Sequence, residues 1–485
     1  WDGDITYEWE TSSDGKSWSK AAGGAEYTVS ADDEGKLIRA KASIGESVSY
    51  SDIERVDGAA IYSIGSDTVR FLGRGENTES GRSMNFPLAG LEFEFSGCSA
   101  QMRIAGFEGS APAYINITVD GRTERKAVEQ NGWITLCDGL DKGKHTVSAV
   151  RSDEPGAYIY ADALKTDASA LSPTAGKVRK LEFIGDSYTA GYGLGGSVSD
   201  ASKSFAAVTA GTLDADINVI ASSGKGLYKN LPGFAAEKTM AENYDYAELW
   251  KNGVSKWDFN SYVPQVVTVF LGTNDYFADE GAGADGFSAA YSAFIKKIRA
   301  KYPNASIICC AKNEGCYRQQ IEDAVSKSND PKVFYLNFGD LGESGLNSHP
   351  NEDEQKTLAD KLAEKINSIE NAWLTEKEVN ITLEIGGGGK LTDGGKEISG
   401  SFKAYVGGKK VLTLLPDDGH IAGSAALDGK KLEITDNKIT LPEDIKEGSV
   451  LKITFKRDFS ENGVVFYVSE SGSDSNTGTL SQPFR

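Results

Sequence analysis

Four short clusters with chemical potential fall in order along the middle of this 485-residue chain: Gly185-Asp186-Ser187, the lone Gly224 of ASSGKGL, Gly272-Thr273-Asn274-Asp275, and His349-Pro350. Each follows an apolar, strand-like run or opens a helical one. A hydroxyl, a glycine N–H, a carboxamide and an imidazole together are what acyl transfer requires: a nucleophile, oxyanion donors and a base. Taken singly, each has a plainer reading. Gly-Asp-Ser is also a turn in which Ser187 caps a helix. Gly224 also suits a backbone that only glycine adopts, and Asn274 suits an ordinary turn. The imidazole discriminates best. The chain has three histidines, His145, His349 and His420, and only His349 falls in the same stretch as the serine.

The elements that must bring these residues together run from Lys180. Strand-like segments LEFIG, INVIAS, VVTVFLG, ASIICCA and KVFYLNF alternate with helical ones. In GFSAAYSAFIKKIRAKYP, Phe287, Tyr291, Phe294, Ile295 and Ile298 share one face. In NEDEQKTLADKLAEKINSI, Leu358, Leu362, Ile366 and Ile369 do the same. Strands alternating with helices predict a parallel sheet covered on both sides, an α/β/α sandwich over 169–374. The carboxyl ends of such strands converge on one edge, where open α/β sheets place their ligands.

The flanks read as all-β. Residues 1–56 alternate apolar and polar positions between Ser/Asp/Gly turns, as a small antiparallel module does. Residues 57–168 repeat strand signals about every ten residues, which predicts a β-sandwich or jelly roll. A small polar linker, ALKTDASALSPTAGKV, follows. Residues 375–460 form a further small β module, and 461–485 read as the opening of another. The chain begins at Trp1, so the expectation is a piece of a longer, multimodular polypeptide.

Composition narrows the partners. A formal charge of −20 with no basic cluster disfavours nucleic acid and anionic lipid. No run of apolar residues is long enough to insert into a membrane. Cys98, Cys137, Cys309, Cys310 and Cys316 lack paired C-x-x-C spacing, so neither a metal nor a cofactor is expected. Cys98 and Cys137 suit either a cross-strand bridge or two buried thiols.

The order of the four clusters resembles the block pattern of the SGNH (GDSL-type) hydrolases. A β-sandwich placed before GDSYTAGYG, followed by SGKGLYKN, LGTND and HPN, is closest to carbohydrate esterase family 2, which removes acetyl groups from plant polysaccharides. The likeness covers about residues 60–372. Residues 1–56 resemble the immunoglobulin-like repeats of bacterial surface proteins, 375–460 their β-grasp-like repeats, and 461–485 the first strand of a parallel β-helix. The resemblance implies Ser187 as nucleophile and His349 as base. It implies the Ser187 N–H, the Gly224 N–H and the Asn274 amide as the oxyanion hole. It further implies a bacterial extracellular or cell-surface serine acetyl esterase.

One position departs from the pattern. Where the superfamily often has an aspartate three residues before the histidine this chain has Leu346, and where family 2 often has one two before it has Asn347. The expectation is a Ser187–His349 dyad whose ring is oriented by a carbonyl oxygen, with Asn347 as the candidate. Asp340, Glu343 and Asp353 are acids near enough in sequence to substitute. Activity should fall as pH drops through the range in which an imidazole takes up a proton. Of the aromatic residues Tyr188, Tyr192, Tyr228, Tyr244, Trp250, Trp257 and Tyr276, the favoured sugar-stacking candidates are Tyr276 and Trp250. Two other readings share these residues: a lipase or thioesterase of the same fold, and a glycan-binding surface protein whose α/β domain has lost activity.

Overall fold

The computed structural model describes residues 4–485 apart from 34, 57–58, 79–80, 155, 250–254, 282, 376, 459–467, 477–480 and 483–484. Most of the proposed β-helix opening, and Trp250, therefore lie outside the described residues.

The α/β domain is built on five parallel strands: β1 (Arg179–Gly185), β2 (Ala215–Ala221), β3 (Val266–Phe270), β4 (Ser306–Ala311) and β5 (Val333–Asn337). Their spatial order is β2-β1-β3-β4-β5. Strands β3 and β4 are buried at every residue, which is why they read as unbroken apolar runs rather than alternating ones. Two helices, α2 (Phe205–Thr212) and α6 (Glu352–Asn367), cover one face with Phe205, Leu358, Leu362 and Ile366. On the other face α4 (Ala284–Lys301) and α5 (Arg318–Ser328) bury Phe287, Tyr291, Phe294, Ile298 and Ile321. The apolar stripe of α4 is the one its 3.6-residue periodicity predicts.

Register levels the ends of β1, β2 and β3. Gly185 of β1 pairs with Ala221 of β2 on one side and Phe270 of β3 on the other. Successive connections leave toward opposite faces where β1 lies between β2 and β3, and that switch point opens a crevice at the carboxyl ends.

Residues 60–173 form two facing six-stranded antiparallel sheets around Leu91, Phe93, Met102, Ile104, Ile115, Val147 and Ile159. Part of the expected linker belongs to this sandwich: Leu171–Pro173 pairs with strand Gly90–Gly97, and Leu171 is buried. Cys98 and Cys137 are not bonded to each other, and all five cysteines are free. The sandwich lies along the β2 edge of the parallel sheet. Arg70 meets Asp216 at the start of β2 at 2.8 Å, and Asn85 meets Glu248 at 2.9 Å. Arg74 and Glu182, both fully buried, pair at 3.1 Å. Tyr244 and Tyr302 donate to the same Glu182 carboxylate. Removing one member of such a pair strands a buried charge, at a cost of about 3–5 kcal/mol.

At the N-terminus a separate five-stranded sheet spans Thr6 to Arg55. At the other end, Glu378–Arg457 folds into two β-sheets with their own core. This C-terminal module meets the amino ends of the parallel strands, where Arg179 pairs with Glu443 at 2.7 Å.

Candidate active site

Ser187 begins a four-residue helix, α1 (Ser187–Ala190), immediately beyond β1. Gly185 gives the turn its room: a Cβ there would fall 2.0 Å from Thr189 Oγ1. Asp186 caps the helix by accepting the Tyr188 N–H at 3.1 Å. Thus the serine hydroxyl leaves the sheet at its switch point, though the residue itself is buried.

His349 approaches from the loop before α6. Its Nε2 lies 2.7 Å from Ser187 Oγ, and its Nδ1 lies 3.0 Å from the main-chain oxygen of Asn347. A carbonyl oxygen only accepts, so Nδ1 carries the ring proton and Nε2 is left to take the serine proton. The peptide oxygen of Asn347 faces the ring; its carboxamide turns away and donates to Tyr192 Oη at 3.0 Å. Asn347 (φ 50°) and Ser348 (φ 56°) are both left-handed, at about 1–2 kcal/mol each for ordinary residues. That paired conformation folds the chain back so that the 347 oxygen reaches the ring two residues later. The imidazole is also flanked by Tyr192 and Tyr188, with ring centroids 4.6 and 5.2 Å away.

Among the described residues no carboxylate meets Nδ1. Asp340 accepts from Asn313, and Asp353 lies in the first turn of α6. Glu343 pairs with the buried Lys312 and accepts from Tyr188 Oη. Leu346 is exposed and packs beside Gly193.

The loops after β2 and β3 complete the site. Gly224 has φ +75°, and a Cβ there would collide with the Phe234 ring at 2.2 Å, so no other residue fits. Asn274 lies in the first turn of α3 (Thr273–Ala278). Its carboxamide nitrogen donates to Asp186 Oδ2 at 3.2 Å and to the Lys225 oxygen at 2.9 Å, which joins the three loops. Both its hydrogens are therefore engaged. The Ser187 and Gly224 N–H groups, by contrast, donate to no main-chain acceptor among the described residues.

Asp275 gave no signal of a role beyond its turn. Its buried carboxylate accepts the N–H groups of Leu227, Tyr228 and Lys229 at 2.9, 2.6 and 2.8 Å, and so fixes the glycine loop against β3. Burial pushes the Asp186 carboxyl up to about 7; nearby Asp275 adds to the shift, while the Tyr188 N–H and Lys312 oppose it.

The aromatic candidates separate. Tyr244 is fully buried, and with Trp257 it stacks on Arg74. Tyr276 is half-buried against Tyr317 and the core. Its neighbour Phe277 is 57% exposed and Tyr228 42%.

Both the α/β domain and the β-sandwich have counterparts among known proteins. Residues 183–364 match the GDSL-like lipase/acylhydrolase family model, and residues 71–168 match the carbohydrate esterase 2 N-terminal model. The first match falls on the α/β domain and the second on the β-sandwich. The chain is 36% identical over 209 residues to the cellulase/esterase CelE of Acetivibrio thermocellus, an alignment covering 39% of this chain and 25% of that protein. The chain thus spans a quarter of that relative's length. Identity is 27% over 267 residues to an acetylxylan esterase/glucomannan deacetylase of Cellvibrio japonicus, covering 49% of this chain and 72% of the other. A solved family two carbohydrate esterase from Clostridium thermocellum, in complex with cellohexaose, superposes with a TM-score of 0.56 at 28% identity. That superposition covers 62% of this chain and 98% of the solved one.

Proposed function

We propose that this chain is a carbohydrate O-acetyl esterase that works through an acetyl-Ser187 intermediate. The observation that carries the reading is the 2.7 Å contact between Ser187 Oγ and a His349 ring whose other nitrogen is held by a peptide oxygen. In the first half-reaction Ser187 Oγ bonds to the acetyl carbon while its proton passes to His349 Nε2. The carbonyl electron pair becomes an oxyanion, held by the Ser187 and Gly224 N–H groups. Asn274 serves as third donor by sharing one of its engaged hydrogens. The tetrahedral centre collapses, and the departing sugar oxygen takes the proton from Nε2. Water then repeats the sequence on acetyl-Ser187 and releases acetate.

The substrate assignment is supported by the relatives, named for acetylxylan and glucomannan. Exposed Phe277 and Tyr228 offer flat apolar faces beside the oxyanion loops. An acetylated plant polysaccharide is too large to enter a cell, so the protein acts outside it, as one module of a larger polypeptide. Among the described residues no helix is long and apolar enough to cross a membrane.

The decisive test is acetate released from acetylated xylan and acetylated glucomannan, beside labelling by a fluorophosphonate. Wild-type protein should release acetate and be labelled at Ser187, and Ser187→Ala should do neither. A wild-type chain that does neither would overturn the esterase reading.

A further inference from the structure

We infer that Glu154, a residue of the β-sandwich, positions the oxyanion loop of the neighbouring α/β domain. This deepens the esterase reading and rests on it. Glu154 lies in the turn between strands Gly143–Arg151 and Ala157–Thr166. Its carboxylate crosses to the α/β domain and accepts Ser199 Oγ at 2.5 Å, Ser223 Oγ at 2.7 Å and the Ser223 N–H at 2.5 Å. A carboxylate only accepts, and each of these partners has a proton to give.

The base from which Glu154 reaches is rigid. Its own carbonyl is held by Arg151 Nη2 at 3.0 Å, and fully buried Arg151 is in turn paired with Asp153. Ser223 directly precedes Gly224. With the Ser223 N–H and hydroxyl both pinned, and the Gly224 carbonyl accepting the Leu231 N–H at 3.0 Å, the chain is fixed on each side of the Gly224 N–H, which itself meets no main-chain acceptor among the described residues. Glycine brings no side chain to restrain it and is the residue that loses most freedom on ordering. Asp275 and Asn274 hold the loop beyond Gly224; on the Ser223 side the restraint comes from the sandwich. The same carboxylate ties in Ser199, whose carbonyl accepts from Arg125 Nη2 at 2.6 Å. One rim of the sandwich therefore holds the loops that follow both β1 and β2.

Glu154 is a positioning residue, because its contacts are with the loop and not with the reacting atoms. A misplacement of about 1 Å in an active-site group can cost about 10²-fold in rate. In the full chain, with 4-nitrophenyl acetate, Glu154→Ala should lower kcat by up to about that factor. KM and the unfolding midpoint should stay close to wild type. Glu154→Gln, which keeps an acceptor oxygen for the Ser223 N–H, should restore most of the rate. A Glu154→Ala protein with wild-type kcat, or one impaired in KM alone, would overturn the inference. If Glu154→Ala does not fold, Ser223→Ala decides: kcat lowered at unchanged KM supports the role, and unchanged kcat refutes it. These results are separable from failure of the esterase reading, which would show as a wild-type chain with neither turnover nor fluorophosphonate labelling.

Discussion

The β-sandwich and the C-terminal β module both pack against the parallel sheet, but on different parts of it. The sandwich runs along β2 from Asp216 to just past its end, and so reaches the edge where Ser187 and Gly224 lie. The C-terminal module meets the opposite edge through Arg179 and Glu443. Two hollows follow the second contact. One of about 860 Å³ is lined by residues such as Lys177, Arg179, Lys409 and Glu443, and another of about 630 Å³ by Pro264, Tyr302 and Leu374. Neither touches the serine. A third, of about 800 Å³, lies beside the glycine loop at Leu227, Tyr228 and Asn230, so volume alone does not single out the carboxyl ends of the strands, where the chemistry is expected.

Mutations at the two edges should therefore act on different observables. The largest effect is expected from His349→Ala or Ser187→Ala. Each should lower kcat about 10⁴-fold or more, measured as acetate release, because members of such a unit fail together. Asn347→Ala should be much milder, within about tenfold in kcat. The ring is held by a peptide oxygen that alanine also possesses, so the change removes the Tyr192 contact and an easy left-handed residue, at about 1–2 kcal/mol. A loss equal to that of His349→Ala would mean the carboxamide itself orients the base.

Asp186→Asn sharpens the comparison through pH. Burial raises the Asp186 carboxyl to about 7 in the folded chain, against about 3.9 when unfolded. A raised folded value favours the native state below the unfolded pKa, and that benefit is lost as pH rises through about 7. The wild-type unfolding midpoint should accordingly fall relative to Asp186→Asn between about pH 4 and about pH 7, the unfolded and folded values, and level off above. A constant difference would show that the carboxyl does not titrate there. The smallest effect belongs to the other edge. Arg179→Ala should leave kcat and KM unchanged and loosen only the C-terminal module, detectable as faster proteolysis there.

The sheet, the helix faces and the pairing of Ser187 with His349 were legible because their signals are local or scarce. A 3.6-residue stripe marks α4, and His349 had no competitor within the α/β segment. The carbonyl that orients the ring followed from what was missing, since neither Leu346 nor Asn347 is acidic. Other features left no local trace. Glu154 meets Ser223 across 69 positions, and no spacing rule connects a sandwich turn with a glycine loop. Asp275 reads as one more turn residue until the three N–H groups it accepts are seen. Tyr276 and Phe277 are adjacent aromatics, and only the direction of α3 decides that the first packs inward and the second faces solvent.

That the sandwich covers β2 has a practical consequence for dissecting the molecule. Cut at the polar stretch before β1, the catalytic half would carry a bare outer strand, with a row of unsatisfied amide and carbonyl groups open to a second copy. Such a fragment would clump before its chemistry could be assayed, so the smallest useful piece begins with the sandwich.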